Sequence, residues 1–182
     1  MTQVIADLTV SVERTYDVDA STLFDGLADP ETLGDVERAT TGERESTSDH
    51  ATATDDHPAS TDDHAAATGP PPRLSPGETY VGDVDVPIGA DVVSFESYFT
   101  VEKREADRLV LAGGGDADAG SFDARVVVAI ADVPEGAVVR VDAHLDVAGD
   151  VAAVGSRSVR DGITRVLERY LSGVERVVAR PS

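Results

Sequence analysis

The residues best suited to chemistry are the four histidines, three of which lie in one repeated segment. His50, His57 and His64 are seven residues apart, and an aspartate precedes each of them. Imidazole nitrogen beside carboxylate oxygen is a combination that binds divalent metal ions. Single histidines in a flexible, proline-interrupted stretch are not brought together as ligands before a metal arrives. We therefore favour a solvated loop here, and we predict no metal site and no cofactor.

The remaining candidate groups lack the partners that catalysis needs. His144 falls on the outward face of an alternating segment, which makes it a poor general base. Arg14 is the one charged residue on the inward face of the first predicted strand. It either contacts the polar head of a ligand or, as we favour, pairs with a carboxylate. The run Gly113-Gly114-Gly115 lacks the lysine and the helix of a phosphate-binding loop, so it indicates a bulge or loop. We predict no catalytic residue.

The composition is strongly acidic, with a formal net charge of -20 over 182 residues and a single lysine, Lys103. Such a surface is typical of salt-accumulating halophiles, where molar salt shortens the Debye length to about 3 Å and screens carboxylate repulsion. No basic stripe exists to meet phosphates, so we expect no nucleic-acid binding. The lack of cysteine excludes disulfides and thiol chemistry.

The sequence also lacks targeting and membrane signals. The first residues lead directly into an alternating segment, without the charged region, apolar stretch and cleavage site of a signal peptide. No apolar run approaches the roughly 18 residues that span a bilayer. With 41% hydrophobic residues and no internal duplication, we expect one cytoplasmic domain over residues 1–182.

Alternation of apolar and polar residues predicts β-strands over much of the chain. After the first strand, the sequence predicts a short helix, a break at Asp29-Pro30 and a second helical turn to about Val36. The short connections between the later strands favour antiparallel pairing. The predicted strands are 5–18, 79–88, 93–103, 108–112, 121–131 and 137–147.

Residues 38–76 differ in kind, because they hold Thr, Ser, Ala, Asp, Pro and Gly with Leu74 as the only large aliphatic residue. Such a segment cannot bury enough apolar area to offset its ordering entropy. We interpret it as an acidic, disordered insertion. From Gly149 to about Val178, apolar residues recur at helical spacing, which predicts one unbroken amphipathic helix with Asp150 as its N-cap.

These elements predict an α+β fold, in which a twisted antiparallel sheet turns its concave apolar face onto the long terminal helix. Their order resembles the START-like helix-grip fold of the SRPBCC, or polyketide cyclase/lipid-transport, superfamily. Within it, the chain most resembles the G-subunit family of carbon monoxide dehydrogenase, here of a haloarchaeal type. The resemblance rests on three segments and covers all but 38–76. They are 12–33, which contains Asp-Pro-Glu-Thr-Leu; 80–89, YVGDVDVPIG; and 145–157, LDVAGDVAAVGSR.

The resemblance implies noncatalytic binding of a hydrophobic small molecule, a lipid or a quinone. It also implies association with a molybdenum hydroxylase of the carbon monoxide dehydrogenase type, and peripheral contact with the inner face of the membrane. Two alternatives remain open. One is a cyclase-like enzyme, and the other is an assembly or membrane-docking factor without a ligand.

Small residues on the predicted inward faces favour a cavity between sheet and helix. The alternative is that they let the helix pack closely and leave no space. The predicted lining is Gly82, Val84, Phe95, Ser97, Phe99, Phe122, Ala124, Val126, Ala143, Leu145, Gly155, Val159 and Ile163.

The terminal helix carries the only locally basic stretch, including Arg157, Arg165 and Arg169. These arginines either meet an anionic membrane or an acidic partner, or they form a solvated face. A solvated face would hold ion pairs four residues apart, Arg157–Asp161 and Asp161–Arg165. Screening in molar salt favours the solvated face.

Overall fold

The computed structural model describes residues 5–27 and 74–178. These residues form six strands and three helices, and the strands alternate with short turns after residue 79. The strands are β1 (Ile5–Tyr16), β2 (Thr79–Ile88), β3 (Asp91–Arg104), β4 (Arg108–Ala117), β5 (Gly120–Val133) and β6 (Gly136–Gly149), and the helices are α1 (Ala20–Leu27), α2 (Asp150–Ala153) and α3 (Ser156–Val178).

The strands form one antiparallel sheet in the order β1-β6-β5-β4-β3-β2. The two edge strands are therefore β1 and β2, and α3 packs against both of them. A sheet whose two edges contact the same helix must curl around it. The predicted α+β architecture, a curled antiparallel sheet closed by a C-terminal helix, is confirmed at this level.

The core lies between the concave face of the sheet and α3. In β1 the buried residues Ala6, Leu8, Val10 and Val12 alternate with exposed polar neighbours. The inward residues of β6, from Val139 to Val147, are buried in the same alternating way. A shift of one residue would turn every apolar side chain outward, so this alternation excludes such shifts between neighbouring strands.

Helix α1 begins where the sequence predicts it. Asp19 precedes it, and the backbone N–H of Thr22 donates to the Asp19 Oδ1 at 2.9 Å. This bond holds the pKa of the Asp19 carboxyl below its usual range. Leu23, Phe24 and Leu27 face the core as expected. The predicted helical turn near Val36 lies outside the described residues.

Most of the predicted insertion, residues 38–73, also lies outside the described part of the chain. Its predicted end at residue 76 is too late, however. Leu74 is fully buried in the core, and its carbonyl accepts a hydrogen bond from Arg104 Nη1 at 2.9 Å. The one large aliphatic residue of the segment packs with the core, because burial of its side chain is favourable.

The glycine run forms no loop, which corrects the prediction that a short strand ends at residue 112. β4 continues to Ala117, and Gly113, Gly114 and Gly115 pair with β3 on one side and β5 on the other. The irregularity in this region is a register shift in β3 between Val101 and Lys103. Pairing on both sides supplies the backbone hydrogen bonds that glycine needs to remain extended.

The terminal helix is broken, which corrects the prediction of one continuous helix. α2 ends at Ala153, and Gly155 has a φ of 112°, a left-handed value that a residue with a side chain rarely adopts. Asp150 is the first residue of α2, and the N-cap is Gly149, whose φ is 92°. The chain therefore bends twice, at Gly149 and Gly155, before it enters α3.

Candidate functional site

An apolar cavity of about 100 Å³ lies between the sheet and the N-terminal half of α3. Every residue that lines it is aliphatic or phenylalanine. The lining residues are Val84, Val86, Ile88, Phe95, Phe99, Phe122, Ala124, Val126, Ala143, Leu145, Val147, Val151, Val159, Ile163, Val166 and Leu167.

The structure brings most of the predicted lining together but leaves out Gly82, Ser97 and Gly155. Ser97 is buried, and its hydroxyl donates to the Phe95 carbonyl at 3.1 Å instead of facing the cavity. Gly82 is paired with Ser97 across the strands. Gly155 forms the bend between α2 and α3, and a side chain there would meet nothing within 4 Å.

Sequence reasoning missed Val86, Ile88, Val147, Val151, Val166 and Leu167 as lining residues. The signal for several of them was present. Val86 and Ile88 continue the alternation of Val84, and Val147 continues that of Ala143 and Leu145. Extending each alternating face to its end would have included them.

The glycines of β4 shape one wall of the cavity. A Cβ on Gly115 would lie 2.6 Å from the Phe122 ring and 2.7 Å from the Ser97 hydroxyl. The rings of Phe122 and Phe95 meet edge to face with centroids 5.2 Å apart. Because β4 has no side chain there, the Phe122 ring can lie against its backbone and contribute to the lining.

Close packing replaces the cavity at one point on the helix. A Cβ on Gly162 would collide with the Pro87 carbonyl oxygen, so α3 and β2 approach each other directly there. The sequence left two interpretations of the small residues open, a cavity and close packing of the helix. Each applies at different positions. Glycine allows contact at Gly162, and Ala124 and Ala143 border open space.

The cavity walls offer hydrophobic contact and no proton transfer. No acid, base, thiol or hydroxyl lines the cavity among the described residues. Several lining residues, including Phe99, Ile163 and Leu167, are only half-buried, so the cavity communicates with the surface. The site can therefore exclude water from an apolar molecule, but its walls supply no general acid or base.

Arg14 lies on the inward face of β1 and does not line the cavity. Its guanidinium donates to the Ser172 Oγ at 2.6 Å and forms an ion pair with Glu175. Beside it, the Tyr16 hydroxyl donates to the Leu171 carbonyl at 2.8 Å, and burial raises the pKa of Tyr16 well above its usual range. The favoured prediction, a carboxylate partner for Arg14, is confirmed. These groups bind the C-terminal half of α3 to β1.

The exposed face of α3 carries arginines without acidic partners. Arg157, Arg165 and Arg169 form no ion pair within 4 Å among the described residues, and the predicted pairs with Asp161 are not formed. Arg157 and Arg165 are exposed, and Arg169 is half-buried. The ion pairs that were predicted to accompany a solvated face are therefore not formed.

A wider cleft of about 800 Å³ lies beside α1, against the β3–β4 turn. Several of its polar groups already have partners. Arg104 lies over the Phe24 ring at 5.3 Å and donates to Leu74, and Asp132 accepts from the Ala20 backbone N–H at 3.1 Å. This cleft is larger than the apolar cavity, but it is more open to solvent. None of the described helices is long and apolar enough to cross a membrane.

Comparison with family models and with curated proteins finds no match. Among solved structures, the chain is similar to a putative uncharacterized protein from Rhizobium leguminosarum, with a TM-score of 0.64, 14% identity and 100% of both chains covered. A conserved protein from Geobacillus kaustophilus has a TM-score of 0.61 and 14% identity over 96% of this chain and 95% of its own. A protein from Thermus thermophilus has a TM-score of 0.56 and 13% identity over 94% of this chain and 97% of its own. At such identities the similarity shows the fold alone.

Proposed function

We propose that this protein binds a hydrophobic small molecule, without chemical turnover, in the cavity between the sheet and α3. The observation that carries the proposal is the uniformly apolar lining, which reaches the surface through half-buried residues. Transfer of an apolar molecule from water to such a site is favourable by roughly 25 cal/mol per Å² of buried surface.

The lining favours a hydrocarbon group, such as a lipid chain, over a quinone head. A quinone would bring carbonyl oxygens into a site whose described walls contain no hydrogen-bond donor. Burying a polar group without a partner costs about 1–3 kcal/mol. The hydroxyl of the buried Ser97, a strand neighbour of the lining residues Phe95 and Phe99, already donates to the Phe95 carbonyl. We therefore expect any polar part of the ligand to lie outside the cavity.

The size of the cavity requires it to widen around most ligands. Its volume of about 100 Å³ is smaller than the roughly 150 Å³ engineered cavity that holds benzene. Pockets for drug-sized ligands measure about 300–1,000 Å³. Ile163, Val166 and Leu167 line the cavity from α3 and are half-buried. We propose that these residues move outward when a ligand enters.

We further propose that the fold is of the helix-grip type and that the chain is related to the G-subunit family of carbon monoxide dehydrogenase. The curled sheet closed by α3 and the 145–157 segment support this relation. The relation would make the chain an accessory protein of a molybdenum hydroxylase. Affinity capture with the tagged, full-length chain tests this. Recovery of a molybdenum hydroxylase supports it, and capture of other partners without one contradicts it.

The arginines of α3 support a second candidate function, docking on an anionic membrane surface. Arg157, Arg165 and Arg169 have no described acidic partner, so their charges are available. Replacing all three with Gln should lower co-sedimentation with phosphatidylglycerol vesicles at low salt, and molar salt should abolish the difference. Equal sedimentation of both proteins at low salt would eliminate this candidate.

A cavity-filling pair of variants tests the binding proposal. Ala143 borders the cavity, whereas Ala137 is buried in the same strand without lining it. We expect Ala143→Leu to weaken toluene or naphthalene binding at least tenfold, because the leucine occupies the space. Ala137→Leu should reduce stability through overpacking but leave the affinity within threefold. If Ala143→Leu binds the probes as well as the parent does, the cavity is not the site.

Mass spectrometry of an organic extract addresses turnover and ligand class together. Protein purified in molar salt should yield a near-stoichiometric apolar compound. Incubation of that compound with the protein should return it unchanged, since the lining holds no acid or base. Conversion of the compound would favour the cyclase-like alternative. Protein that carries no compound and binds no probe would favour a docking factor without a ligand.

A further inference from the structure

Two strands on the outer face of the sheet bring together three side chains that can bind a metal. Asp7 in β1 lies directly opposite Asp146 in β6, and His144 lies two residues from Asp146 on the same face. One ligand atom from each lies within 4.8 Å of the other two. None of the three belongs to the cavity or to the arginine face of α3.

The histidine is oriented by a neighbour on the opposite strand. Thr9 pairs with His144, and its hydroxyl lies 3.2 Å from the His144 Nδ1. When Nδ1 carries the proton and donates to Thr9, the lone pair of Nε2 is free. Nε2 lies 3.7 Å from the Asp7 Oδ2, on the side of the carboxylates. A hydrogen bond that fixes the second nitrogen is the usual support of a metal-binding imidazole.

The charges around the three residues favour a cation. Like charges directly opposite in a sheet are destabilising, and Asp146 faces Asp7 on one side and Asp123 on the other. Arg125 on β5 lies directly opposite His144, but its guanidinium forms an ion pair with Glu102. Arg140 forms an ion pair with Asp142. Within the described strands, no lysine or arginine forms an ion pair with Asp7 or Asp146.

We propose that Asp7, His144 and Asp146 bind a first-row transition-metal dication, with Zn²⁺ as the reference ion. An imidazole nitrogen with two carboxylates suits Zn²⁺, Ni²⁺ or Cu²⁺, whereas Mg²⁺ and Ca²⁺ prefer oxygen ligands alone. Bonds of about 2.0–2.2 Å require the two Asp side chains to rotate a short distance toward the imidazole. Because all three residues are exposed, water completes the coordination and the ion exchanges freely.

The bound ion would link the edge strand β1 to β6. Both ligand-bearing segments lie within a ladder that runs from Ile5–Ala148 to Tyr16–Ala137, so the backbone holds the ligands at a fixed spacing. The repeat that contains His50, His57 and His64 lies outside the described residues. The sequence prediction of no metal site considered only that repeat.

The test must distinguish Zn²⁺ binding at His144 from Zn²⁺ binding at the other three histidines. A full-length parent protein with His50, His57 and His64 replaced by Gln retains only His144. In molar KCl, this protein should bind one equivalent of Zn²⁺ by calorimetry, and its melting temperature should rise with Zn²⁺. Adding His144→Gln should weaken binding at least tenfold. Mg²⁺ at the same concentrations should produce no shift.

Asp123→Asn is the matched control for charge. Asp123 is exposed and lies beside Asp146 on the next strand, but it is outside the set of three ligands. Asp7→Asn and Asp146→Asn should each weaken Zn²⁺ binding several-fold, and Asp123→Asn should change it by less than twofold. A parent that binds no Zn²⁺, or unchanged affinity in His144→Gln, overturns the proposal. Equal losses for all three aspartate variants would show general attraction to negative charge and also overturn it.

Discussion

The C-terminal half of α3 is bound to the sheet by buried side chains and hydrogen bonds, whereas its N-terminal half lies over the cavity. Leu171 and Val174 are fully buried, and Arg14 and Tyr16 reach across from β1. In the other half, Ile163 is only half-buried and faces open space. One helix therefore combines a fixed anchor with a part that can adapt to a ligand. We call these the anchored half (170–178) and the cavity half (156–167).

The largest expected effect contrasts a truncation in each half. Leu171→Ala should lower the free energy of unfolding by about 2–5 kcal/mol, because it removes fully buried atoms from close packing. Ile163→Ala should cost less than half as much, since Ile163 is half-buried beside a void. Denaturant unfolding in molar salt measures both. Equal losses would contradict the distinction between the two halves.

A smaller effect is expected at the contact between the cavity half and β2. In Gly162→Ala, the new Cβ would collide with the Pro87 carbonyl oxygen, so the helix must move away from β2. Overpacking of this kind costs about 1–3 kcal/mol. Hydrogen exchange should accelerate in residues 156–163 and remain unchanged in 171–176. Acceleration along the whole helix would show that the halves move as one body.

Removal of the Tyr16 hydroxyl tests how strongly the anchored half of α3 is held to β1. Tyr16→Phe leaves the ring but removes the hydrogen bond to the Leu171 carbonyl. A buried bond of this type contributes about 0.5–1.5 kcal/mol, and the carbonyl is left without its partner. Tyr80→Phe is the control, because its hydroxyl bonds the exposed Glu78, which precedes β2, and not a group of α3. If both variants lose the same stability, the Tyr16 bond has no special role in anchoring.

The smallest expected effect is the pH dependence of the stability that α1 contributes. Helix α1 supports the anchored half through the hydrogen bond from the Tyr170 hydroxyl to the Leu27 carbonyl at 3.4 Å. The hydrogen bonds from Thr22 hold the pKa of Asp19 below its unfolded value of about 3.9. The stabilisation is therefore present above that value and is lost as pH falls through the folded pKa. Asp19→Asn should lose less stability than the parent between pH 6 and pH 3. Asp17→Asn, an equal change of charge, should behave like the parent.

Alternation of residue types was enough to predict the strands and the inward faces of the sheet. It could not predict β4 fully, because Gly113 to Gly115 have no side chains from which a period can be read. The break at Gly155 was also hidden, since a glycine fits a helical pattern until its φ is known. Apolar spacing predicts which face is buried, but backbone direction depends on local geometry that spacing does not contain.

The features that the sequence did not predict depend on contacts between residues that are far apart in sequence. The sequence indicated that Arg14 needs a carboxylate, but only the packing of α3 on β1 selects Glu175. The alignment of β1 with β6 brings Asp7 to Asp146, and nothing local to either strand specifies that alignment. The cavity volume likewise depends on small displacements among many side chains, which residue types do not determine.

The pairing of β1 with β6 has a consequence for the order of folding. Thr9 and His144, 135 residues apart in sequence, lie side by side, so among the described strands β1 has no partner until β6 has been synthesised. Contacts over such separations slow folding, because a long loop must close before they form. The hairpins from β2 to β6 connect neighbours and can assemble first. We expect β1 to join last among the strands, and until then the unpaired backbone edge of β6 remains exposed to association with other chains.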